Sequence, residues 1–535
     1  PGPSVNSIGR RWPPMRDEVS PSVHGTSFLT MPANTRIFEN VGMEIQPAQV
    51  SLVVPLARLL KERYGTKLHL YVRSHEEEET LRRNNADGLW DSVTNDSIHL
   101  QALRAEGLIE EEVVARARYV EELTGEPINR LALATRQTGH SFSPGAWRHP
   151  NSPFAERASN LQLMHAITES IAFWEKEIDE KGLRLVLDGN KFMAAAARAK
   201  GAAYRRLTLA RFETYFYWAV NEYFDHPDLK KTYDNLASWP VAEIGGSYAF
   251  AAQKYKMEKS LFSWRRIVRT LPESILYHFY YKVRGMEKRF STNLLRLIAL
   301  PFRIRHAHWH LARLATTSLN DLENRQFVYY PLQKEPEVTI MQSAPECLSQ
   351  HATILSLARD LPAGVLLAIK ENTSAIGRRT ASFYDQIAAL KNVVLLRADT
   401  SSIGAIKQAV ATVTIAGTAS MEAAILGKPT LTFSEHIKWG FLPHARVVKS
   451  ESELPSLLRW AVSGPFDADQ AREDGARFLA ALKDSSMNLE GFRRDGRGRY
   501  HSDEEDIAPL YAGLCKSLDV TPIEATPEKI KAKVA

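Results

Sequence analysis

The stretch VATVTIAGTASMEAAILGKPTLTF, Val410–Phe433, decides the fold. It reads as strand, tight turn, short helix, stop and strand. Val413–Ala416 is a short apolar run, and Gly417 and Thr418 turn the chain. Ser420–Leu426 is expected to be helical, with Glu422 in its first turn. Gly427 suits the left-handed position past a helix end, Pro429 prevents continuation, and Thr430–Phe433 is the next strand. A turn of small residues opening a helix leaves N–H groups aimed at one spot, which favours an anion such as a phosphate. The plainer alternative is an ordinary βα turn that binds nothing.

The same texture extends outward from Arg325. Phe327–Pro331, Gly364–Lys370, Val393–Leu396 and Val447–Lys449 read as strands. Ser349–Asp360, Ala381–Leu390, Ser401–Ala409 and Glu451–Ala461 read as helices. Such alternation makes a parallel sheet with helices on both faces. A second run of the kind lies near the start. There Ser27–Met31 is expected as the first strand, followed by a loop, Pro32–Asn40, that carries Asn34, Arg36 and Glu39. Gln49–Tyr64 has helical spacing and Lys67–Val72 alternates as a strand. Arg184–Leu187 is a strand ending in Asp188-Gly189-Asn190, then come an alanine-rich helix, Lys191–Lys200, and the strand Tyr204–Leu207.

The expected fold class is α/β: two Rossmann-like doubly wound domains with a helical, basic insertion between them. The expected division is a poorly ordered segment over 1–24, an N-terminal domain over 25–207 with its own helical insertion, and a helical basic and aromatic region over 208–324. A C-terminal domain over 325–485 and a helix and tail over 486–535 complete it.

Composition supports this division. A chain of 535 residues is too long for one ordinary core, and 44% hydrophobic with 24% charged content is that of a soluble globular protein. Two cysteines, Cys347 and Cys515, exclude a disulfide framework and a cysteine-based zinc motif, and suit a reducing cytosol. No run long and apolar enough for a transmembrane helix is present, and the opening PGPSVNSIGRRWPPMRDE lacks the apolar region of a signal peptide. The net charge of +6 is concentrated: Lys254–Arg313 holds 14 Lys and Arg against three Glu. Phe262, Trp264, Tyr277, Phe279, Tyr280, Tyr281, Phe302 and Trp309 are interleaved with those cations. Three readings stand for this segment: an interdomain helix pair with a solvated basic face, a peripheral membrane contact, or an RNA-binding surface.

Four loops of the second half follow strands. They are Tyr330–Glu337 with Gln333 and Glu337, Ala368–Asn372 followed by Gly377-Arg378-Arg379, Ala398–Ser402, and Gly417–Glu422. Lys370, Arg378 and Arg379 bring positive charge near a helix start, which suits a diphosphate or a phosphate beside a carboxylate. Asp399 or Ser401 suits the cap of the helix after the third loop. Glu422 suits ribose hydroxyls; its plainer role is a favourable charge in the first turn of a helix. Asp188 lies where open α/β sheets place ligands, and its plainer role is the cap of the next helix. His140, Trp147 and His149 share a loop without metal-ligand spacing.

The run FVYYPLQKEPEVTI … LPAGVLLAIKENTSAIGRRTASFYDQI … NVVLLRADTSSIGAIKQAVATVTIAGTASMEAAILGKPTLTF resembles the C-terminal half of bacterial capsular-polysaccharide biosynthesis proteins, including the Kdo transferases. The resemblance covers about residues 325–435, carries the pattern GT-x-x-x-E-A-x-x-x-GKP, and is weaker over 25–75 and 184–207. Family members usually show Lys-Glu-His-Pro where this chain has Lys370-Glu371-Asn372-Thr373.

The resemblance implies a GT-B glycosyltransferase that needs no metal or cofactor beyond its nucleotide-sugar donor, CMP-Kdo-like or UDP-linked. It implies donor contacts from Gln333, Glu337, Lys370, Glu371, Asn372, Arg378, Arg379, Gly417, Thr418, Ser420 and Glu422. An N-domain carboxylate, Glu39 or Asp188, would deprotonate the acceptor hydroxyl. The implied partners are the donor, a saccharide or lipid-linked saccharide acceptor of the bacterial surface, and a membrane surface through Lys254–Arg313, with no nucleic acid. The implied place is the cytoplasm, peripheral at the inner face of the membrane. The alternatives are a nucleotide-sugar epimerase of the same architecture and a non-catalytic scaffold of capsule assembly.

Overall fold

The computed structural model describes residues 33–45, 49–73, 78, 82, 87–133, 158–240, 263–283, 294–335, 337–377, 379–494 and 500–521. The expected strand Ser27–Met31, the loop with His140, Trp147 and His149, and Arg378 lie outside them.

The first sheet contains β1 (Asn40–Glu44), β2 (Lys67–Val72), β3 (Ser92–Asn95), β4 (Leu185–Leu187), β5 (Ala203–Leu209) and β6 (Tyr215–Ala219). The second contains β7 (Phe327–Pro331), β8 (Leu366–Lys370), β9 (Val393–Leu395), β10 (Ala411–Thr414), β11 (Thr430–Thr432) and β12 (Ala445–Val447). A further short strand, β13 (Met487–Asn488), returns to the first sheet. The sheet orders are β13-β6-β5-β4-β1-β2-β3 and β12-β11-β10-β7-β8-β9. The second is parallel throughout; in the first, only the pairs β5–β6 and β6–β13 are antiparallel. Each sheet has a packed cluster on either face, so most of its strands are buried on both sides. The expected pair of doubly wound, Rossmann-like units is therefore present.

In both sheets the chain starts in the middle and winds outward in two directions. The reversal falls between β1 and β4 in the first sheet and between β7 and β10 in the second. A crevice opens outside the carboxyl ends of the strands at such a point, and ligands of open α/β sheets bind there.

Two boundaries differ from expectation. β6 lies past residue 207 yet belongs to the first sheet, and so does β13. The helix Ile507–Ser517 packs on the first unit too: Tyr511 and Tyr64 hydroxyls meet at 2.5 Å, and Trp218 Nε1 donates to the Leu510 carbonyl at 3.1 Å. Helix Ile507–Ser517 thus returns to the unit that holds β1.

The turn that opened the sequence reading folds as strand, turn, helix and strand, but its helix starts two residues before the expected Ser420, so Glu422 lies past the first turn. The helix runs Thr418–Ile425, and Gly427 takes φ 67°. Its N–H reaches the Ala424 carbonyl at 3.0 Å, and the Lys428 N–H reaches Ala423 at 2.9 Å, the double bond of a Schellman cap. A Cβ on Gly427 would lie 2.5 Å from the Arg472 nitrogen, so helix Ala468–Asp484 crosses here at backbone contact.

The basic region forms two helices, Trp264–Val283 and Leu294–Leu314, mounted on the second unit. Ala307, Leu311 and Ala315 join that unit's core, and His310 Nε2 meets Asp385 Oδ1 at 2.9 Å.

Candidate functional site

The second sheet's crevice is built from the ends of β7, β8 and β10. After β7, Gln333 crosses the crevice, and its Oε1 accepts from the Ala416 N–H at 3.1 Å. Beyond Ala416 the chain tightens through hydroxyl bonds. Thr414 Oγ1 accepts from the Gly417 N–H at 3.3 Å and donates to Ser420 Oγ at 2.8 Å. Ser420 Oγ in turn donates to the Gly417 carbonyl at 2.8 Å. The turn is thereby held with helix Thr418–Ile425 pointing its amino end out of the sheet, and the first N–H groups of a helix have no partner within it. A Cβ on Gly417 would lie 3.3 Å from Gln333 Nε2, so the glycine lets the amide strap lie close.

Two ionisable groups flank this helix start. Lys370 ends β8, and its Nζ donates to Ser402 Oγ at 3.1 Å. Glu422 lies one turn into the helix and is partly buried. Burial pushes its carboxyl up to about 7, against the pull of Lys370. A carboxyl held that high is partly protonated near neutral pH and so can donate as well as accept a hydrogen bond. The third loop caps as expected: Ser401 Oγ accepts from the Gly404 N–H at 3.1 Å, while Asp399 pairs with Arg397.

Three expected donor-binding side chains face inward instead. Arg379 is buried and takes both oxygens of buried Glu371 at 2.8 and 2.7 Å. It also donates to Glu335 Oε2 at 3.2 Å and to the Gln333 carbonyl. Tyr384 donates to Glu371 Oε2 at 2.6 Å, and Gln350 bonds Glu335 through its N–H and its side chain. This is a satisfied buried network that shapes the loops after β7 and β8, not a free phosphate clamp. Ser420 is buried too and spends its hydroxyl on the turn. Of the other residues, Asn372 is partly buried and its N–H bonds Glu371 Oε1 at 2.7 Å, while Glu337 precedes helix Val338–Ser343 without capping it by its side chain. Gln333, Lys370, Gly417, Thr418 and Glu422 are the expected residues gathered at the crevice.

The first sheet separates the two candidate bases. Glu39 immediately precedes β1, at the amino end of the sheet, where it lies 3.5 Å from Arg184. The strand next to Glu39 is the one that follows it, so Glu39 lies at the edge opposite the one where open α/β sheets place ligands. Asp188 follows β4 at the carboxyl edge, at φ 60°. It does not cap the next helix; Asn190 does, accepting from the Met193 N–H at 3.0 Å. Asp188 Oδ1 accepts from the Leu207 N–H at 3.0 Å, and Oδ2 has no hydrogen-bond partner among the described residues. Burial pushes this carboxyl up to about 7, opposed by the charges of Arg206 and Arg73.

Glu44, which the sequence reading missed, ends β1. The register pairs Met43 with Leu187, so Glu44 adjoins Asp188 across the first sheet's reversal. It is buried and ion-paired with Arg73. Between the units, the Tyr223 and His436 rings stack at 3.9 Å, and Gln342 Nε2 donates to the Glu222 carbonyl at 2.8 Å.

No family model matches the chain, and no curated protein matches it. Solved structures do. The KpsC β-Kdo 2,4 transferase of Thermosulfurimonas dismutans matches at 12% identity, covering 55% of this chain and 88% of that one, with a TM-score of 0.29. The KpsC β-Kdo 2,7 transferase of the same organism matches at 13%, covering 63% and 88%, with a TM-score of 0.28. The UDP-GlcNAc 2-epimerase of Neisseria meningitidis, bound to UDP-GlcNAc, matches at 9%, covering 83% and 97%, with a TM-score of 0.22. Likeness at these scores leaves the role of the two crevices to their own residues.

Proposed function

We propose that the protein is a glycosyltransferase that takes a sugar from a nucleotide donor, CMP-Kdo-like or UDP-linked, to a saccharide or lipid-linked saccharide of the bacterial surface. In this reading it works in the cytoplasm, at the inner face of the membrane. The observation that carries the proposal is the second crevice: a helix start, Lys370 and Glu422, whose carboxyl burial pushes up, converge at the strand reversal. The leaving phosphate sits on the Thr418 end of the helix, where N–H groups and Lys370 stabilise the charge that develops as the glycosidic bond breaks. Glu422 receives the ribose hydroxyls.

Asp188 serves as the base. A carboxylate raised to about 7 by burial is matched to deprotonating a hydroxyl near neutral pH, and its Oδ2 is uncommitted among the described residues. The acceptor then lies over the β1–β4 reversal and the donor over the β7–β10 reversal.

Titration calorimetry with CMP, UDP and their sugar conjugates tests the donor half. Binding of one nucleotide family, with its release dependent on an added acceptor, supports transfer. Turnover of the sugar nucleotide without acceptor identifies an epimerase, and binding of none identifies a non-catalytic scaffold. The scaffold reading draws on one observation, that Arg379 and Glu371 beside Asn372 are sealed into the interior.

A further inference from the structure

The two helices Trp264–Val283 and Leu294–Leu314 carry a surface that the other described residues do not cover. Among the described residues, nine of the twelve exposed large hydrophobic side chains lie on them. Leu295, Phe302 and Trp309 recur every seven residues on one helix, a single stripe. On the other, Trp264, Val268, Leu276, Phe279, Tyr280 and Val283 follow steps close to the helical repeat. The opposite side of the second helix is spent on the fold through Ala307 and Leu311, with Ala315 just past its end. Concentration of this kind marks an interaction face, since scattered apolar residues need no partner.

The charge on the same helices is one-sided. They hold eight Lys and Arg against a single acid, Glu273. Arg265, Arg269, Arg303 and Arg313 are exposed. Cations and rings are paired: Arg305 lies 4.9 Å from the Trp264 ring centre, Arg313 lies 4.7 Å from that of Trp309, and Trp264 meets Phe302 edge to face at 5.9 Å. No helix among the described residues is long and apolar enough to cross a membrane.

We propose that this helix pair lies on an anionic lipid bilayer, its aromatic and aliphatic side chains in the interface and its arginines on the lipid phosphates. Charge complementarity selects this occupant. A second copy of the chain would set cation against cation. A nucleic acid would leave Val268, Leu276, Val283 and Leu295 without a stacking role. The mounting is stiff. Gly377, at φ 87°, has no room for a Cβ, which would lie 2.6 Å from Ile304, and the His310–Asp385 contact fixes the helix that follows. Docking thus brings the β8 loop, one wall of the donor crevice, to the bilayer side. This deepens the proposed transfer by supplying a lipid-borne acceptor, and rests on that reading only for the acceptor's identity.

Sedimentation of the full chain with phosphatidylcholine vesicles, with and without phosphatidylglycerol, tests the surface at low and high salt. The expected result is binding that requires the anionic lipid and weakens with salt. Arg265→Glu with Arg269→Glu should reduce it at least tenfold, at about fivefold per arginine removed. Phe302→Ser with Trp309→Ser should reduce it at unchanged salt dependence and unchanged melting temperature. Absence of binding, or equal binding to both vesicle types, overturns the proposal. So does a concentration-dependent dimer that the same substitutions abolish, or capture of RNA without vesicles. Nucleotide calorimetry on the arginine variant keeps the two readings apart: its affinity should match the parent chain whether or not vesicles are bound.

Discussion

Gln333 and Ala416 are joined across the reversal of the second sheet, side-chain Oε1 to backbone N–H at 3.1 Å. One amide thereby ties the loop after the first strand of that sheet to the turn after its neighbour. Replacing Gln333 by Leu keeps the volume and leaves the Ala416 N–H without its acceptor. The expected cost is about 1–3 kcal/mol in urea denaturation, with nucleotide affinity about tenfold weaker. Loss of stability with unchanged affinity would make the strap structural only.

Glu422 gives stability a pH signature. Burial pushes its folded-state carboxyl up to about 7, from an ordinary value of 4.5. Between those values the folded protein binds more protons than the unfolded chain, so this group's contribution falls as pH rises from about 4.5 to 7. Glu422→Gln should remove that decline, leaving the variant about 1–3 kcal/mol more stable than the parent at pH 8 and equal to it at pH 4. Nucleotide affinity should drop in the same variant. Denaturant midpoints across the pH range check the first claim, and calorimetry checks the second.

Asp188 behaves alike in sign. Its carboxyl is raised from 3.8 to about 7, so its charged form weakens the fold above that range. Asp188→Asn should melt at a higher temperature at pH 8 and abolish sugar transfer while nucleotide binding survives. A variant that melts higher and still transfers would remove Asp188 as the base.

Arg379 holds two buried carboxylates, those of Glu371 and Glu335. Arg379→Met leaves both uncompensated, and the expected loss is about 3–5 kcal/mol, seen as a lower urea midpoint at unchanged slope. A variant of parental stability with weak nucleotide binding would return Arg379 to the ligand.

The second sheet was legible because its signals are local. Gly427 marks a helix stop within a few residues of the bonds that make it, and Ser401 caps within the span it was expected to cap. What escaped depends on distant chain. β1 reads NVGME, five residues with a glycine inside and a buried Glu at the end, a weak pattern beside the apolar run at Ser27–Met31. Missing it put Glu39 at the wrong edge and hid Glu44. Arg379 and Glu371 look like ligand-facing charges in sequence; only the fold brings Gln350, Tyr384 and Glu335 around them. The return of β13 and the last helix to the first unit has no local signal at all, since it rests on partners such as Tyr64, hundreds of residues away.

The central claim is that a nucleotide phosphate rests on the amino end of helix Thr418–Ile425. Amide hydrogen exchange with and without saturating nucleotide measures it most directly. The account predicts slowed exchange in peptides covering Ala416–Glu422 and Leu332–Gln333, with the ends of β1 and β4 unchanged until an acceptor is added. Nucleotide binding that protects the first sheet and leaves Ala416–Glu422 unprotected would contradict it.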